Sequence, residues 1–282
     1  MIFWIASYPK SGNTWVRALI STYYYSQDGT FSEELIKKIG QFPEKIHFHG
    51  FDYNEEIVTD TTKFWIKAQE RINSDKKIRF KKTHNCLSSI NGHNFTNNKN
   101  TIACVYIIRD PRNLITSLKN HYELDYMEAL NFMINEKKFI YDYKKKNDYS
   151  DFQFISSWEK HFLSWKNQNE FPIKVIRYED LLNKTYYIVE DLICFINNVL
   201  KIDKKIDKKK LKNSINSTSF DKLKLFEQSY GFSEAMNSKD SKNNIPFFYL
   251  GPDNNWKKIL DQKFQEKLNV TFEKSLKYFS YF

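Results

Sequence analysis

Met1-Ile2-Phe3-Trp4-Ile5-Ala6-Ser7-Tyr8-Pro9-Lys10-Ser11-Gly12-Asn13-Thr14-Trp15 is the stretch on which the fold turns. Ile2 to Ala6 is an apolar run that predicts a strand, and Ser7 to Thr14 is a loop of small and polar residues. From Trp15 onward, Val16, Ala18, Leu19 and Ile20 continue at helical spacing, giving strand, loop, helix. Such a loop leaves backbone N–H groups unpaired at the helix start and aims them, with the positive end of the helix dipole, at one small volume. Phosphate fits there. Lys10 adds a full charge, Gly12 lets the backbone approach closely, and Ser11 and Thr14 supply hydroxyl donors. The loop is not a Walker A motif, in which the lysine follows the second glycine and precedes a Mg²⁺-binding Ser or Thr. Here the lysine comes first.

Working outward, a helix is expected from about residue 14 to 25. Residues 26 to 75 show no clean period beyond a short helix opening at Phe64 to Gln69. Ile78 to His84 reads as a second strand ending in a polar tip. Thr101 to Ile108 is continuously apolar and β-branched, as in a strand buried on both faces, and it stops at Arg109-Asp110-Pro111. Pro111 suits a helix start, with Leu114, Ile115, Leu118 and Tyr122 on one face. Helices are expected over Met127 to Tyr143 and Phe154 to Trp165. Ile173 to Tyr178 forms a fourth strand, and a helix opens at Glu179-Asp180 and runs through Ile196. Residues 229 to 255 read as a long loop. A terminal helix starts near Asn255 and buries Ile259, Leu260, Phe264, Leu268 and Phe272.

This alternation predicts an α/β sandwich with a central parallel sheet, in which ligands bind at the carboxyl ends of the strands. Ser11, His84, Arg109 and Tyr178 all fall at or just past such ends, so they should meet in one crevice. The 282 residues suit a single domain spanning 1–282. Transmembrane helices are excluded by the lack of a long apolar run. With no basic leader before the first strand, a cytoplasmic location is expected. Cys86, Cys104 and Cys194 are widely spaced and odd in number, which favours reduced structural thiols over disulfides or zinc. The net charge of +10 permits an anionic partner, but lysine supplies most of it in a chain also rich in asparagine. The lysine-rich residues 201–213 accordingly read as a solvated helix face or linker.

Three stretches in order resemble the sulfotransferases that use 3′-phosphoadenosine-5′-phosphosulfate (PAPS). Tyr8 to Trp15 is similar to the family's YPKSGTTW loop, with Asn13 in place of a threonine. Arg109 and Ser117, eight residues apart, have the spacing of its 3′-phosphate motif, and Lys82-Thr83-His84 resembles its KTH. Weaker echoes are Tyr178-Glu179-Asp180 for the adenine-contacting YED and Thr218-Ser219-Phe220 for TSF. The family's RKGxxGDW appears here as Tyr249 to Trp256, with Gly251 and Trp256 at the right spacing and both basic residues gone.

The resemblance implies a three-layer, P-loop nucleoside-triphosphate-hydrolase-like fold. It also implies sulfuryl transfer from PAPS, with PAP (adenosine 3′,5′-bisphosphate) as product, to a small-molecule or glycan acceptor, most simply a hydroxyl. It assigns PAPS binding to Lys10, Ser11, Gly12, Asn13, Thr14, Trp15, Arg109, Ser117, Tyr178, Thr218, Phe220 and Gly251. Backbone N–H groups near Gly251, with Lys257 or Lys258, would replace the missing basic pair. His84 would be the general base, Lys10 would stabilise the bridging oxygen, Lys82 would bind the sulfuryl oxygens, and Ser117 would link the 3′-phosphate to Lys10.

No metal is expected, since no carboxylate neighbours Ser11 or Thr14 in sequence, and nucleic acid is not an expected partner. The sequence is silent on oligomeric state. His47, His49, His93, His121 and His161 have no motif around them and read as ordinary surface or core histidines. Trp15, Tyr178 and Phe220, taken singly, read as core aromatics. Three other classes stay open: a P-loop-like kinase, a basic nucleic-acid-binding protein, and an inactive nucleotide-binding homologue.

Overall fold

Along β1 (Ile2–Ser7) the side chains alternate between two cores. Ile2, Trp4 and Ala6 join one, and Phe3 and Ile5 join the other. The computed structural model describes residues 1–142, 146–238 and 244–281. In it β1 pairs in parallel with β2 (Arg79–Thr83) and β3 (Thr101–Ile108), and β3 pairs with β4 (Ile173–Arg177), giving the order β2-β1-β3-β4. The register sets Ala6 beside Thr83 and Tyr106, and Ile108 beside Arg177, so all four strands end along one edge.

Helices cover both faces. On the Phe3 side lie α1 (Asn13–Tyr25), the helix Thr185–Leu200 and Leu211 of the helix Lys208–Ser217. On the Trp4 side lie α2 (Pro111–Tyr122), α3 (Tyr126–Ile134) and α4 (Trp158–Lys166). This is the expected three-layer α/β sandwich. Each fully buried side chain such as Trp4, Leu118 or Ile193 contributes about 1.5–3 kcal/mol of transfer free energy, enough to fix which face each element presents.

Several element boundaries depart from the sequence reading. α3 stops at Ile134, where Asn135 turns the chain into a short strand, Phe139–Ile140, paired with Gln153–Phe154. Residues 143 to 145 of the expected helix lie outside the described residues. Phe154 therefore belongs to that hairpin. α4 begins only at Trp158, where the Ser157 side chain accepts from Lys160 N–H. The helix expected through Ile196 breaks at Lys184 into Tyr178–Asn183 and Thr185–Leu200. The stretch read as a long loop contains the pair Met236–Asn237 with Asn244–Ile245 and a 3-10 turn, Gly251–Asp253. The terminal helix is three pieces, and Ile259 is exposed on the first of them. In the lysine-rich segment, Lys208 and Lys209 are exposed while Leu211 and Ser214 are buried, as a solvated helix face requires.

Candidate active site

The loop between β1 and α1 turns through two left-handed residues, Lys10 (φ 64°) and Gly12 (φ 104°). At Gly12 a Cβ would stand 2.7 Å from Tyr178 Cδ2, so only glycine fits. Asn13 closes the loop from inside: its Nδ2 donates to Ile5 O at 2.9 Å and to Ser7 Oγ at 3.3 Å. Ser11 Oγ is buried with no hydrogen-bond partner among the described residues, as are Trp15 Nε1 and Arg109 Nε.

A cavity of about 820 Å³ opens at the carboxyl edge of the sheet. Lys10, Gly12, Asn13, Thr14, Trp15, Lys82, His84, Arg109, Ser117, Tyr178, Phe220 and Gly251 all line it. Residues separated by more than 200 positions thus meet at one site. Ser11 is fully buried and outside the lining. Thr218 is fully buried outside the lining, with its hydroxyl donating to Ser214 O at 2.7 Å. Lys257 and Lys258 are exposed and lie outside the cavity wall, so the lining near Gly251 lacks them.

Arg109 ties the two ends of the cavity together. One of its amino groups donates to Lys10 O at 3.0 Å and to Ser117 Oγ at 3.2 Å, and its guanidinium lies 4.3 Å from the Tyr178 ring centre. The expected link from Ser117 to Lys10 therefore runs through Arg109. Trp15 meets Tyr178 edge-on at 5.9 Å, and Phe220 packs so close over Gly251 that a Cβ there would stand 2.4 Å away. Lys10 Nζ lies 3.4 Å from the centre of the Phe247 ring. Burial pushes its ammonium down to about 7, with Glu234 opposing the shift and Arg109 and Lys82 adding to it.

His84 is oriented on both sides. Its Nδ1 lies 2.8 Å from Ser7 O, and because a carbonyl only accepts, that nitrogen carries the proton and Nε2 is the acceptor. The backbone N–H of His84 donates to Gln153 Oε1, and His161 Nε2 donates to His84 O at 2.9 Å. Tyr106 OH donates in turn to His161 Nδ1. Burial and then Lys82 push the His84 imidazole down to about 3, so it is neutral at pH 7.

Sequence reasoning misses four participants: it takes His121 and His161 for ordinary histidines and passes over Arg17 and Glu234. His161 positions His84, and its only sequence signal is its place on α4. His121 lines the cavity and sits one helical turn beyond Ser117, a spacing that does mark it. Glu234 bonds Thr14 and Lys82 and pairs with Arg17, itself one turn beyond Asn13. Burial alone would raise the Glu234 carboxyl, yet Arg17 and Lys82 hold it well below the usual range.

Among the described residues no group of three or more His, Cys, Asp or Glu is placed to hold a metal, and no helix is long and apolar enough to cross a membrane. Cys86 and Cys104 are buried free thiols, and Cys194 is an exposed one.

Residues 2–280 match the model of the sulfotransferase domain family. The luciferin sulfotransferase of Photinus pyralis is 25% identical over 228 residues, covering 78% of this chain and 56% of that protein. The chain thus spans just over half that relative's length. Among solved structures, a mouse sulfotransferase complexed with PAP aligns with a TM-score of 0.56 at 18% identity, over 98% of this chain and 83% of that one. A retinol dehydratase in complex with androsterone and the inactive cofactor PAP aligns with a TM-score of 0.58 at 15% identity, over 98% and 80%.

Proposed function

The chain belongs to the sulfotransferase family, and from that premise we propose that it moves a sulfuryl group from PAPS to a hydroxyl of a small molecule or glycan, releasing PAP. The acceptor oxygen attacks sulfur in line, its proton passes to His84 Nε2, and the bond from sulfur to the bridging oxygen breaks, leaving the new charge on PAP. One observation carries this reading. A neutral imidazole, its tautomer fixed by Ser7 O, opens onto the same cavity as the cations Lys10 and Lys82 at the end of a phosphate loop.

The chain's residues divide the work. The loop N–H groups, with Thr14, cradle the 5′-phosphosulfate, and Lys82 binds the sulfuryl oxygens. Lys10 meets the charge developing on the bridging oxygen. Arg109 and Ser117 hold the 3′-phosphate, helped by backbone N–H groups near Gly251. Trp15, Tyr178 and Phe220 enclose the adenine. His84 by itself is a weak base, and the negative charge of bound donor raises its proton affinity toward the working range. The free thiols fit a reducing, cytoplasmic setting.

Thermal shift and labelled-sulfate transfer test the proposal together. PAP should stabilise the protein well beyond ATP with Mg²⁺, following RT ln(1 + [L]/Kd). His84→Ala should lower transfer by about 10²–10⁴-fold while PAP affinity stays unchanged. Equal stabilisation by ATP with Mg²⁺, or full transfer by the His84 variant, overturns it.

A further inference from the structure

Glu234 lies where the donor's own negative charge is expected. Its Oε2 accepts from Thr14 Oγ1 at 2.9 Å and from Lys82 Nζ at 3.1 Å, while Oε1 pairs with Arg17. Arg17 is anchored elsewhere, donating to Ile39 O at 2.8 Å, and its side chain is 6% exposed against 23% for Glu234. The carboxylate therefore has one oxygen on a fixed guanidinium and the other inside the phosphate cradle.

At Thr14 the two anions compete for one proton. Its Oγ1 carries a single hydrogen, and Glu234 takes it. A phosphosulfate oxygen accepting that hydrogen must first displace Glu234 Oε2. Lys82, with three protons, can serve both anions, so the contest there is not exclusive. Two anions sharing this buried volume also repel, which penalises a Glu234 that stays in place. Arg17 needs only Oε1, so the Oε2 contacts are not required to satisfy the buried guanidinium.

We propose that Glu234 is a positioning residue that holds Thr14 and Lys82 until the donor binds and then yields its Oε2 contacts to it. This rests on the phosphosulfate reading of the loop. It makes donor affinity a net quantity, the attraction of the cradle minus the cost of releasing an internal carboxylate.

Calorimetric titration of the full chain with PAP and, separately, with inorganic pyrophosphate tests this in the wild type, Glu234→Gln and Glu234→Ala. Removing the carboxylate charge should tighten PAP binding by on the order of tenfold, from the size of a charge interaction near a protein surface discounted for lost organisation. The KM for PAPS should fall in step with the Kd. A carboxylate that only braced the fold would instead give weaker binding and a lower melting temperature. Tightening toward PAP supports the exchange. Tightening toward pyrophosphate with no PAP binding by any of the three proteins keeps the exchange and overturns the donor reading. Unchanged or weaker binding of both ligands in both variants overturns the exchange.

Discussion

Lys10 is held in a left-handed turn against the face of Phe247, and burial lowers its ammonium to about 7. An anionic ligand restores the proton by supplying the opposite charge, so ligand binding above pH 7 takes up a proton. PAP affinity should accordingly fall as pH rises past 7, by up to tenfold per pH unit, until the pKa of the complex is reached. Titrations at pH 8 in buffers of differing ionisation heat should report uptake approaching one proton, and Lys10→Met should abolish it. An affinity flat from pH 6.5 to 8.5 in the wild type contradicts this account of Lys10. Ser117 and His84 fit the same pattern of side chains held by neighbours before any ligand arrives, one through Arg109 and the other through Ser7.

The strand, loop and helix formed by β1, residues 8–12 and α1 act as one element because Gly12 permits a backbone turn that no other residue matches. Gly12→Ala should cost about 1–3 kcal/mol of stability from the strained φ and the clash with Tyr178, and should abolish PAP binding. Urea melts and calorimetry measure the two effects, and normal PAP affinity in the variant would contradict the role given to the loop. This element was fully legible in sequence, because an apolar run, a small-residue loop and a helical period are all local signals. β3 was legible for the same reason. The end of α3 was not: Asn135 begins a turn whose partner strand lies at Gln153–Phe154, and pairing between segments leaves no mark within either. Glu234 was illegible on the same ground. Its partners Thr14, Arg17 and Lys82 come from distant segments, and a single glutamate in an aperiodic stretch looks solvated until the chain folds.

Across the whole molecule, burial holds His47, His84, His121 and His161 in the neutral form. It pushes His161 down to about 4, and with the charge of neighbouring lysines it takes His47 and His84 to about 3 and His121 to about 2. Unfolding frees all of them to bind protons at their ordinary pKa near 6.5. Between that value and the folded pKa values the unfolded state binds more protons, so stability is complete above about pH 6.5 and is lost on acidification. These histidines should contribute a slope approaching about 5 kcal/mol per pH unit between pH 5.5 and pH 4.5, from about 1.36 for each. Denaturant titrations across that range check it, and replacing His161 with Gln should reduce the slope by roughly a quarter. A pH-independent midpoint over this window would contradict the buried neutral assignment.

Ser7 closes β1 with its carbonyl on His84 Nδ1 and its hydroxyl within reach of Asn13 Nδ2. One residue thereby spaces His84, the proposed proton acceptor, from the loop after β1, and the β1–β2 register maintains that spacing. The far wall of the cavity, which includes Gln41, Glu44, Lys45, Ile140, Tyr141 and Asp151, touches this arrangement through Gln153, which accepts from His84 N–H, and through Gln41 and Phe42, which pair with Lys82. Under the proposed function, most of the wall facing the acceptor is thus separable from the spacing of His84 and the loop. On the proposed function, the rest of that wall is free to diverge, or to be redesigned around Gln41, Phe42 and Gln153, without moving His84 relative to the loop.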